Sequence, residues 1–176
     1  AQPTLNERVV LVKVQVISMN PVDTQVRKHS SEANNRILGW DAVGEIIEVG
    51  SKVTSFKVGD SVWYAGDLTR DGSNAEYQAV DERIISLKPI TVSNAEAAAL
   101  PLTAITAWEM LFDRFQISET EVGSILIIGG AGGVGSIAIQ LLKAKTNLTV
   151  IATASREETK SWVESLGADH VIDHSK

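Results

Sequence analysis

Cysteine is absent from this chain of 176 residues, and its absence removes two kinds of chemistry. No disulfide can form, and no thiolate is available as a metal ligand. A chain without cysteine fits a reducing compartment. Since the sequence also shows no recognisable signal peptide, we predict a cytoplasmic location.

Basic clusters and long apolar segments are missing as well. The 16 lysines and arginines are scattered among 22 acidic residues, and the formal net charge is −6. Binding to nucleic acid or to a membrane surface usually relies on a basic patch, so the charge pattern disfavours both. The longest weakly polar stretch, 124–142, is interrupted by glycines and is a poor candidate for a membrane span.

What the chain does contain is a glycine-rich turn between a short apolar run and an amphipathic segment. Residues 124–128 are predicted to form a buried strand, and Gly130, Gly132 and Gly135 follow with dinucleotide-binding spacing. Apolar residues then recur on one helical face: Val134, Ile137, Ala138, Leu141 and Leu142. The start of such a helix attracts a pyrophosphate through its unpaired N–H groups and its dipole. The predicted cofactor-binding residues here are Gly130, Ala131, Gly132, Gly133, Val134 and Gly135.

The chain changes character near Pro89. Before it, short β-type segments alternate with turns, which is typical of a small barrel. These segments are 9–17, 42–49, 53–57, 61–65, 75–80 and 84–87. After it, 95–114 is helical in pattern. From residue 124 the order is strand, helix, strand, helix, strand, which indicates a parallel sheet.

Capping boxes are predicted at three places where a helix could begin. The segments 93–96 and 118–121 each place a serine three residues before a glutamate, and Ser155 stands in the same relation to Glu158. The first and the third of these precede predicted helices.

Several segments together resemble the medium-chain dehydrogenase/reductase superfamily. The stretches that carry the resemblance, in the family's order, are 20–23, 39–50, 56–62, 99–103, 130–135 and 166–169. The resemblance implies an α/β Rossmann-like fold, partial, with strands 1–3 of a parallel sheet, preceded by a GroES-like β-barrel. It also implies a nicotinamide cofactor.

The resemblance further suggests how the chain is divided. It implies a GroES-like catalytic domain at 1–94, incomplete at its N-terminus, and the first half of an NAD(P)-binding Rossmann domain at 95–176, truncated at its C-terminus. A complete doubly wound domain has about six strands, whereas three are predicted here. The first of these would then expose an edge where a fourth belongs.

The zinc alcohol dehydrogenases of this superfamily differ from the chain at their metal sites. They place a cysteine near Asn20 and a His-Glu pair where this chain has Trp40 and Asp41, and they often carry a four-cysteine loop in the region of 67–74. Asp41 alone cannot assemble a tetrahedral site, so no zinc is expected. The chain is similar instead to the zinc-free quinone oxidoreductase (zeta-crystallin-like) branch, to which names such as zinc-type alcohol dehydrogenase-like protein are also attached.

The end of the second parallel strand bears on the choice between NADPH and NADH. NAD enzymes usually carry an acid there that binds the ribose hydroxyls, but in 150–156 no acid precedes Glu157. Ser155 and Arg156 can bond and neutralise a 2′-phosphate instead, which predicts NADPH. In the alternative interpretation Ser155 caps the next helix, Arg156 is solvated, and the neighbouring glutamates oppose a phosphate.

The resemblance also places side chains around a substrate. The implied pocket residues are Asn20, Asp23, Trp40, Asp41 and Tyr64. Asn20 and Tyr64 would donate hydrogen bonds to a substrate oxygen, and Thr103 would contact the nicotinamide or its ribose; these three are the implied catalytic residues. Alternatively, 20–23 is a simple turn, Trp40 fills a core, and Asp41 caps a helix or pairs with a basic residue without touching a ligand.

The predicted activity is therefore zinc-independent, NADPH-dependent hydride transfer to a small molecule, a quinone or an activated alkene such as an enone. Three alternatives remain: a non-catalytic NADPH-binding stress or crystallin-like protein, a zinc-type alcohol dehydrogenase with an atypical site, and an RNA-binding role that the net charge disfavours. The complete protein is expected to be a homodimer without a membrane partner.

Overall fold

The computed structural model describes residues 5–29, 36–173 and 175. The chain divides into two compact units, Ala1–Leu102 and Thr103–Lys176. The division falls later than the boundary predicted at 94/95. The reason is that a helix, α2 (Asn94–Ala98), packs through Ala97 and Ala98 on the first unit.

The first unit is built on a five-stranded antiparallel sheet. Its strands are β1 Val9–Ser18, β2 Asp41–Val49, β3 Ser61–Ala65, β4 Tyr77–Asp81 and β5 Ile85–Leu87. They lie in the order β4-β1-β2-β3-β5. Each overlaps a predicted segment. The prediction at 53–57 was wrong, because that stretch is bent by turns: the Val53 N–H bonds to the carbonyl of Gly50 and the Lys57 N–H bonds to Asp60.

One face of this sheet forms the core of the first unit. The alternation of side chains along each strand brings together a buried set of Val10, Val12, Ala42, Ile46, Val62, Tyr64, Val80 and Ile85. A helix, α1 (Pro21–His29), follows β1.

The helical pattern predicted at 95–114 is confirmed in outline. The capping box at Ser93 is present at the start of α2, with Glu96 as its partner. Helix α3 (Pro101–Trp108) follows and continues as a π-helical turn, Glu109–Arg114. The capping box predicted at 118–121 was wrong, because that segment forms a turn closed by a bond from the Glu121 N–H to the Ser118 carbonyl.

The second unit contains a parallel sheet in the order β6-β7-β8. Its elements are β6 Ser124–Ile127, α4 Gly133–Lys145, β7 Thr149–Thr153, α5 Glu157–Ser165 and β8 His170–Ile172. The predicted alternation of strand and helix is confirmed. Buried side chains from all of these elements except β8 form one core, with Ile139, Leu142 and Val150 fully buried.

The predicted apolar face of α4 is confirmed: Ala138 and Leu142 are fully buried, and Val134, Ile137 and Leu141 are partly buried against the core.

Two local predictions in this unit were wrong. Strand β6, predicted to be buried, is exposed at Ser124 and Leu126, and only Ile127 is buried. Ser155 does not cap α5, because that helix begins one residue later and its N-cap is Arg156.

No helix in the described part of the chain is both long and apolar enough to cross a membrane.

Candidate functional site

The glycine-rich turn that joins β6 to α4 is packed so tightly that two of its glycines have no room for a side chain. A Cβ on Gly130 would lie 2.9 Å from the Cβ of Ala152. A Cβ on Gly135 would lie 2.5 Å from the carbonyl oxygen of Gly129 and 2.9 Å from that of Gly130. The first and third glycines of the motif therefore serve close packing of strand, turn and helix, as their spacing predicts.

Strand β7 holds this turn in place through Thr153. The Gly129 N–H donates to Thr153 Oγ1 at 2.8 Å. The Gly130 N–H donates to the Thr153 carbonyl oxygen at 3.2 Å. The sequence reasoning missed Thr153. The signal that could have found it is a hydroxyl residue at the end of an apolar strand, the position at which dinucleotide-binding folds meet their ligand.

The middle of the turn is open. Gly132 and Gly133 are exposed, and Gly132 is the N-cap of α4 without a side-chain cap. The helix thus presents its positive end without a competing side-chain oxygen. An anionic group can bind at this point, which fits the pyrophosphate of a dinucleotide.

Thr103, the predicted nicotinamide contact, lies beside this turn. Its Cγ2 is 3.1 Å from the position that a Cβ on Gly133 would occupy. Helix α3 therefore brings Thr103 against the exposed part of the glycine turn, although the two residues are far apart in sequence.

A second support of the turn comes from α5 and was also missed. The Trp162 indole N–H donates to Ser136 Oγ at 2.9 Å, and the Ser136 hydroxyl donates to the Gly130 carbonyl at 3.4 Å. Ser136 is buried. A buried serine one residue after the motif is a weak signal, since serine is equally common on exposed helix faces.

The predicted phosphate-binding residues follow β7. Ser155 is half-buried, whereas the side chain of Arg156 is 74% exposed. Arg156 Nε lies 3.2 Å from Glu158 Oε1, and the Glu158 side chain is 78% exposed. An ion pair this exposed is weak, so Arg156 can exchange Glu158 for a ligand phosphate at little cost.

In the first unit, the predicted pocket residues Asn20, Asp23 and Asp41 form one hydrogen-bonded group. The Asn20 N–H donates to Asp23 Oδ2 at 2.7 Å. Asn20 Nδ2 donates to Asp41 Oδ2 at 2.8 Å, and the Leu102 N–H donates to Asp41 Oδ1 at 2.8 Å. The segment 20–23 begins α1 in this way, so it is more than a turn.

Burial dominates the electrostatics of this group. Asp41 is fully buried, and this burial raises the pKa of its carboxyl above the ordinary value. The bonds from Asn20 and Leu102 oppose the shift, and the negative charge of Asp23 adds to it. N–H donors, rather than a basic side chain, therefore stabilise the carboxylate.

Trp40 and Asp23 each leave one polar atom unsatisfied. Trp40 is 1% exposed and Asp23 is 2% exposed. In the part of the chain that the structure describes, Trp40 Nε1 and Asp23 Oδ1 are buried without a hydrogen-bond partner. Trp40 lies in the interior, as its core-filling interpretation predicts, and no described residue accepts from its indole N–H.

Tyr64 lies among the apolar side chains of the sheet core, on the same face as its strand partner Ala42 and opposite to the face of Asp41. Its hydroxyl donates to Gln78 Oε1 at 2.9 Å, and Gln78 Nε2 donates to the Asp71 carbonyl at 3.0 Å. Burial raises the pKa of Tyr64 well above its ordinary value, so the hydroxyl stays protonated. Tyr64 reaches a substrate only if this bond to Gln78 opens.

The described residues around Asp41 are not arranged as a zinc site. Among the described residues, no group of three or more His, Cys, Asp or Glu side chains is placed to hold a metal ion. Both carboxylate oxygens of Asp41 already accept from N–H groups. The polar groups gathered at Asp41 are thus one carboxylate, one amide and a backbone N–H, and this combination is unlike the ligands of a zinc site.

Comparisons with known proteins match both halves of the chain. Residues 6–90 match the alcohol dehydrogenase GroES-like domain, and residues 133–176 match the zinc-binding dehydrogenase family. The chain is 51% identical over 179 residues to the zinc-type alcohol dehydrogenase-like protein of Staphylococcus aureus (strain COL), covering 99% of this chain and 54% of that protein. It is 40% identical over 185 residues to the chloroplastic NADPH-dependent alkenal/one oxidoreductase of Arabidopsis thaliana, covering 99% of this chain and 47% of the relative.

Solved structures give the same result. The Escherichia coli quinone oxidoreductase complexed with NADPH is 29% identical, with a TM-score of 0.83, over 99% of this chain and 53% of that one. The predicted GroES-like domain with a Rossmann-type parallel sheet is therefore confirmed. The chain spans about half the length of the curated relatives it matches.

Proposed function

This chain belongs to the medium-chain dehydrogenase/reductase superfamily, and from that premise we propose that the complete protein is a zinc-independent, NADPH-dependent reductase of a quinone or an activated alkene. The oxidoreductase class comes with the family. The proposal consists of the preference for NADPH, the lack of a metal requirement and the substrate class.

The observation that carries the cofactor proposal is the glycine turn, anchored on Thr153 and open at Gly132. Backbone N–H groups at the start of α4 would hold the pyrophosphate, and Thr103 would contact the nicotinamide or its ribose. Ser155 and Arg156 would bind a 2′-phosphate, since the end of β7 has no acid to select the ribose hydroxyls of NAD. When bound, the nicotinamide supplies the hydride chemistry.

The protein's part in the reaction is to position the substrate and to stabilise negative charge that develops on its oxygen. Asn20 has one amide hydrogen committed to Asp41 and a second available for that oxygen. The indole of Trp40 is fully buried, so its part would be core packing behind the pocket. Tyr64 would be a second donor if it released Gln78.

The quinone and enone class is supported by the names of relatives and neighbours. The Arabidopsis relative is named for alkenals and enones, and the Escherichia coli structure is that of a quinone oxidoreductase. The absence of a built metal site among the described residues supports a reaction in which hydrogen-bond donors, rather than zinc, stabilise the oxygen.

The test of the cofactor is a fluorescence titration of the complete protein with NADPH and with NADH. Arg156→Ala should weaken NADPH about tenfold, because a charge-assisted bond to the phosphate is lost, and should leave NADH unchanged. Arg114→Ala removes an exposed arginine from the π-helical turn of the same unit and is the matched control. Equal affinity for both cofactors, unchanged in the variant, would exclude the role of Arg156.

The test of the reaction is turnover of quinones and enones with NADPH, together with metal analysis. Turnover that survives a chelator is expected. Stoichiometric zinc, with activity lost on its removal, would favour the alcohol dehydrogenase alternative. Tight NADPH binding without turnover of either substrate class would favour the non-catalytic alternative. Tyr64→Phe should retain activity unless the hydroxyl leaves Gln78 during catalysis.

A further inference from the structure

Asp41 joins two segments that the proposed reaction uses. It is the first residue of β2 and is fully buried. One carboxylate oxygen accepts from the side chain of Asn20, and the other accepts from the backbone of Leu102. These partners are 21 and 61 positions away in the sequence, so only the fold brings them together.

The bond to Asn20 fixes which way the amide points. A carboxylate only accepts hydrogen bonds, so the NH₂ end of the Asn20 amide must face Asp41. The Asn20 backbone is held as well, since its N–H donates to Asp23. The second amide hydrogen of Asn20 is thereby kept in one direction, as a donor to a substrate oxygen must be.

The bond to Leu102 acts at the start of α3. Pro101 is the first residue of that helix, and Leu102 is the second. A side-chain oxygen that accepts from the second N–H of a helix is the usual N-cap interaction. Here the residue before the helix is Leu100, which has no such oxygen, and Asp41 provides the bond from a strand. The positive end of the helix in turn stabilises the buried charge.

We propose that Asp41 is a positioning residue: its single carboxylate holds the Asn20 amide as the donor to the substrate oxygen and caps the helix that carries Thr103. The proposal deepens the function proposed above and rests on it for the role of Asn20. Asp41 itself touches no substrate, because both of its oxygens are engaged and the residue is buried.

Exchanging the side chains at positions 20 and 41 distinguishes a positioning role of Asp41 from a purely structural one. Asp41→Asn loses one acceptor: its oxygen can keep the Leu102 N–H, but its NH₂ group then faces Asn20, whose amide must flip to accept and no longer presents its second hydrogen in the same direction. Asn20→Asp sets a second carboxylate at hydrogen-bond distance from Asp41. In the double variant Asn20→Asp/Asp41→Asn, the new amide donates to the new carboxylate, so the bond between positions 20 and 41 is restored in reverse, and the new amide oxygen still accepts from Leu102. Residue 20, however, can no longer donate.

The measurements are the thermal midpoint and steady-state kinetics of the complete protein. Both single variants should lower the midpoint, and the double variant should recover most of it. Turnover should be reduced about 100-fold in both singles and should remain low in the double variant, because the donor to the oxygen is absent. Glu45→Gln, the same chemical change at an exposed position of β2, is the control and should alter neither.

Two outcomes would overturn the proposal. If the double variant regained full turnover, residue 20 would not need to donate and the pair would be structural only. If the midpoint showed no coupling between positions 20 and 41, Asp41 would not hold Asn20. If the singles do not fold, Asn20→Ala provides the test, since it removes the donor without adding charge: kcat must fall while the NADPH dissociation constant is unchanged. The midpoints test the Asp41 bonds even if the wild type reduces neither quinones nor enones.

Discussion

Replacing Gly135 by alanine should destabilise the nucleotide-binding unit although alanine is the better helix former. The new Cβ would lie 2.5 Å from the Gly129 carbonyl oxygen and 2.9 Å from both the Cα and the carbonyl oxygen of Gly130. All of these atoms belong to the backbone of the turn. No side chain can rotate away, so α4 or the turn must move.

The size of the effect follows from two opposing contributions. Adding a methyl group to a tightly packed site costs about 1 to 3 kcal/mol, and backbone neighbours place this one at the upper end. Alanine recovers up to about 1 kcal/mol of helix propensity. We therefore expect a net loss of about 2 kcal/mol in the free energy of unfolding.

Gly132→Ala is the matched comparison in the same turn. A Cβ there would meet only the Gly129 carbonyl oxygen, at 3.3 Å, and the residue is exposed. Its folding cost should stay below about 1 kcal/mol, the usual range for a change at an N-cap. The methyl group would nevertheless stand where the pyrophosphate must approach the backbone, so NADPH affinity should fall about tenfold or more.

The assay combines denaturant unfolding with NADPH titration on the complete protein. The expected pattern is a loss of stability in Gly135→Ala and a loss of affinity with near-normal stability in Gly132→Ala. If Gly135→Ala unfolded at the wild-type denaturant concentration and bound NADPH normally, the close packing of α4 on the turn would be refuted. If Gly132→Ala bound NADPH normally, the turn would not be the pyrophosphate site.

Thr153→Val should lower the free energy of unfolding by about 1 kcal/mol in a denaturant titration, because the Gly129 N–H loses its acceptor, and it should weaken NADPH binding; no change in either would show that the bond is dispensable. The hydrogen bond from Lys143 holds the pKa of Asp169 below its ordinary value, so its stabilisation is present above about pH 4 and is lost as the pH falls through the folded value. Asp169→Asn should flatten the acid end of the stability profile, and an unchanged profile would contradict this. Glu158→Gln should tighten NADPH a few-fold by freeing the arginine beside it, with NADH as the internal control.

The architecture could be predicted from local patterns. The strand β7 at Thr149–Thr153 and the glycine spacing from Gly130 to Gly135 are properties of consecutive residues, and the structure confirms both. The side chains that support the turn could not be predicted. Thr153 accepts a hydrogen bond from a residue 24 positions away, and Trp162 donates one to a residue 26 positions away. Neither local sequence pattern predicts which residue is the partner.

Local pattern and tertiary contact also differ in what they say about the predicted pocket residues Tyr64 and Asp41. Period-two alternation along β3 predicts which residues share a face, but it does not say whether the face of Tyr64 meets a ligand or the core. The structure places Tyr64 in the core with Gln78 as its partner. For Asp41 the sequence left open whether the side chain caps a helix or contacts a ligand. In the structure it accepts from the Leu102 N–H and so caps α3.

The sequence by itself determined the class of the fold, the position of the dinucleotide turn and the lack of thiolate chemistry, because each depends on residue type and short-range spacing. Only the tertiary structure decided which polar groups meet. Asn20, Asp41 and Leu102 come from three separate segments, and their hydrogen bonds exist only once the first unit has folded. A buried carboxylate must find donors wherever the fold provides them, so its partners are set by packing rather than by sequence distance.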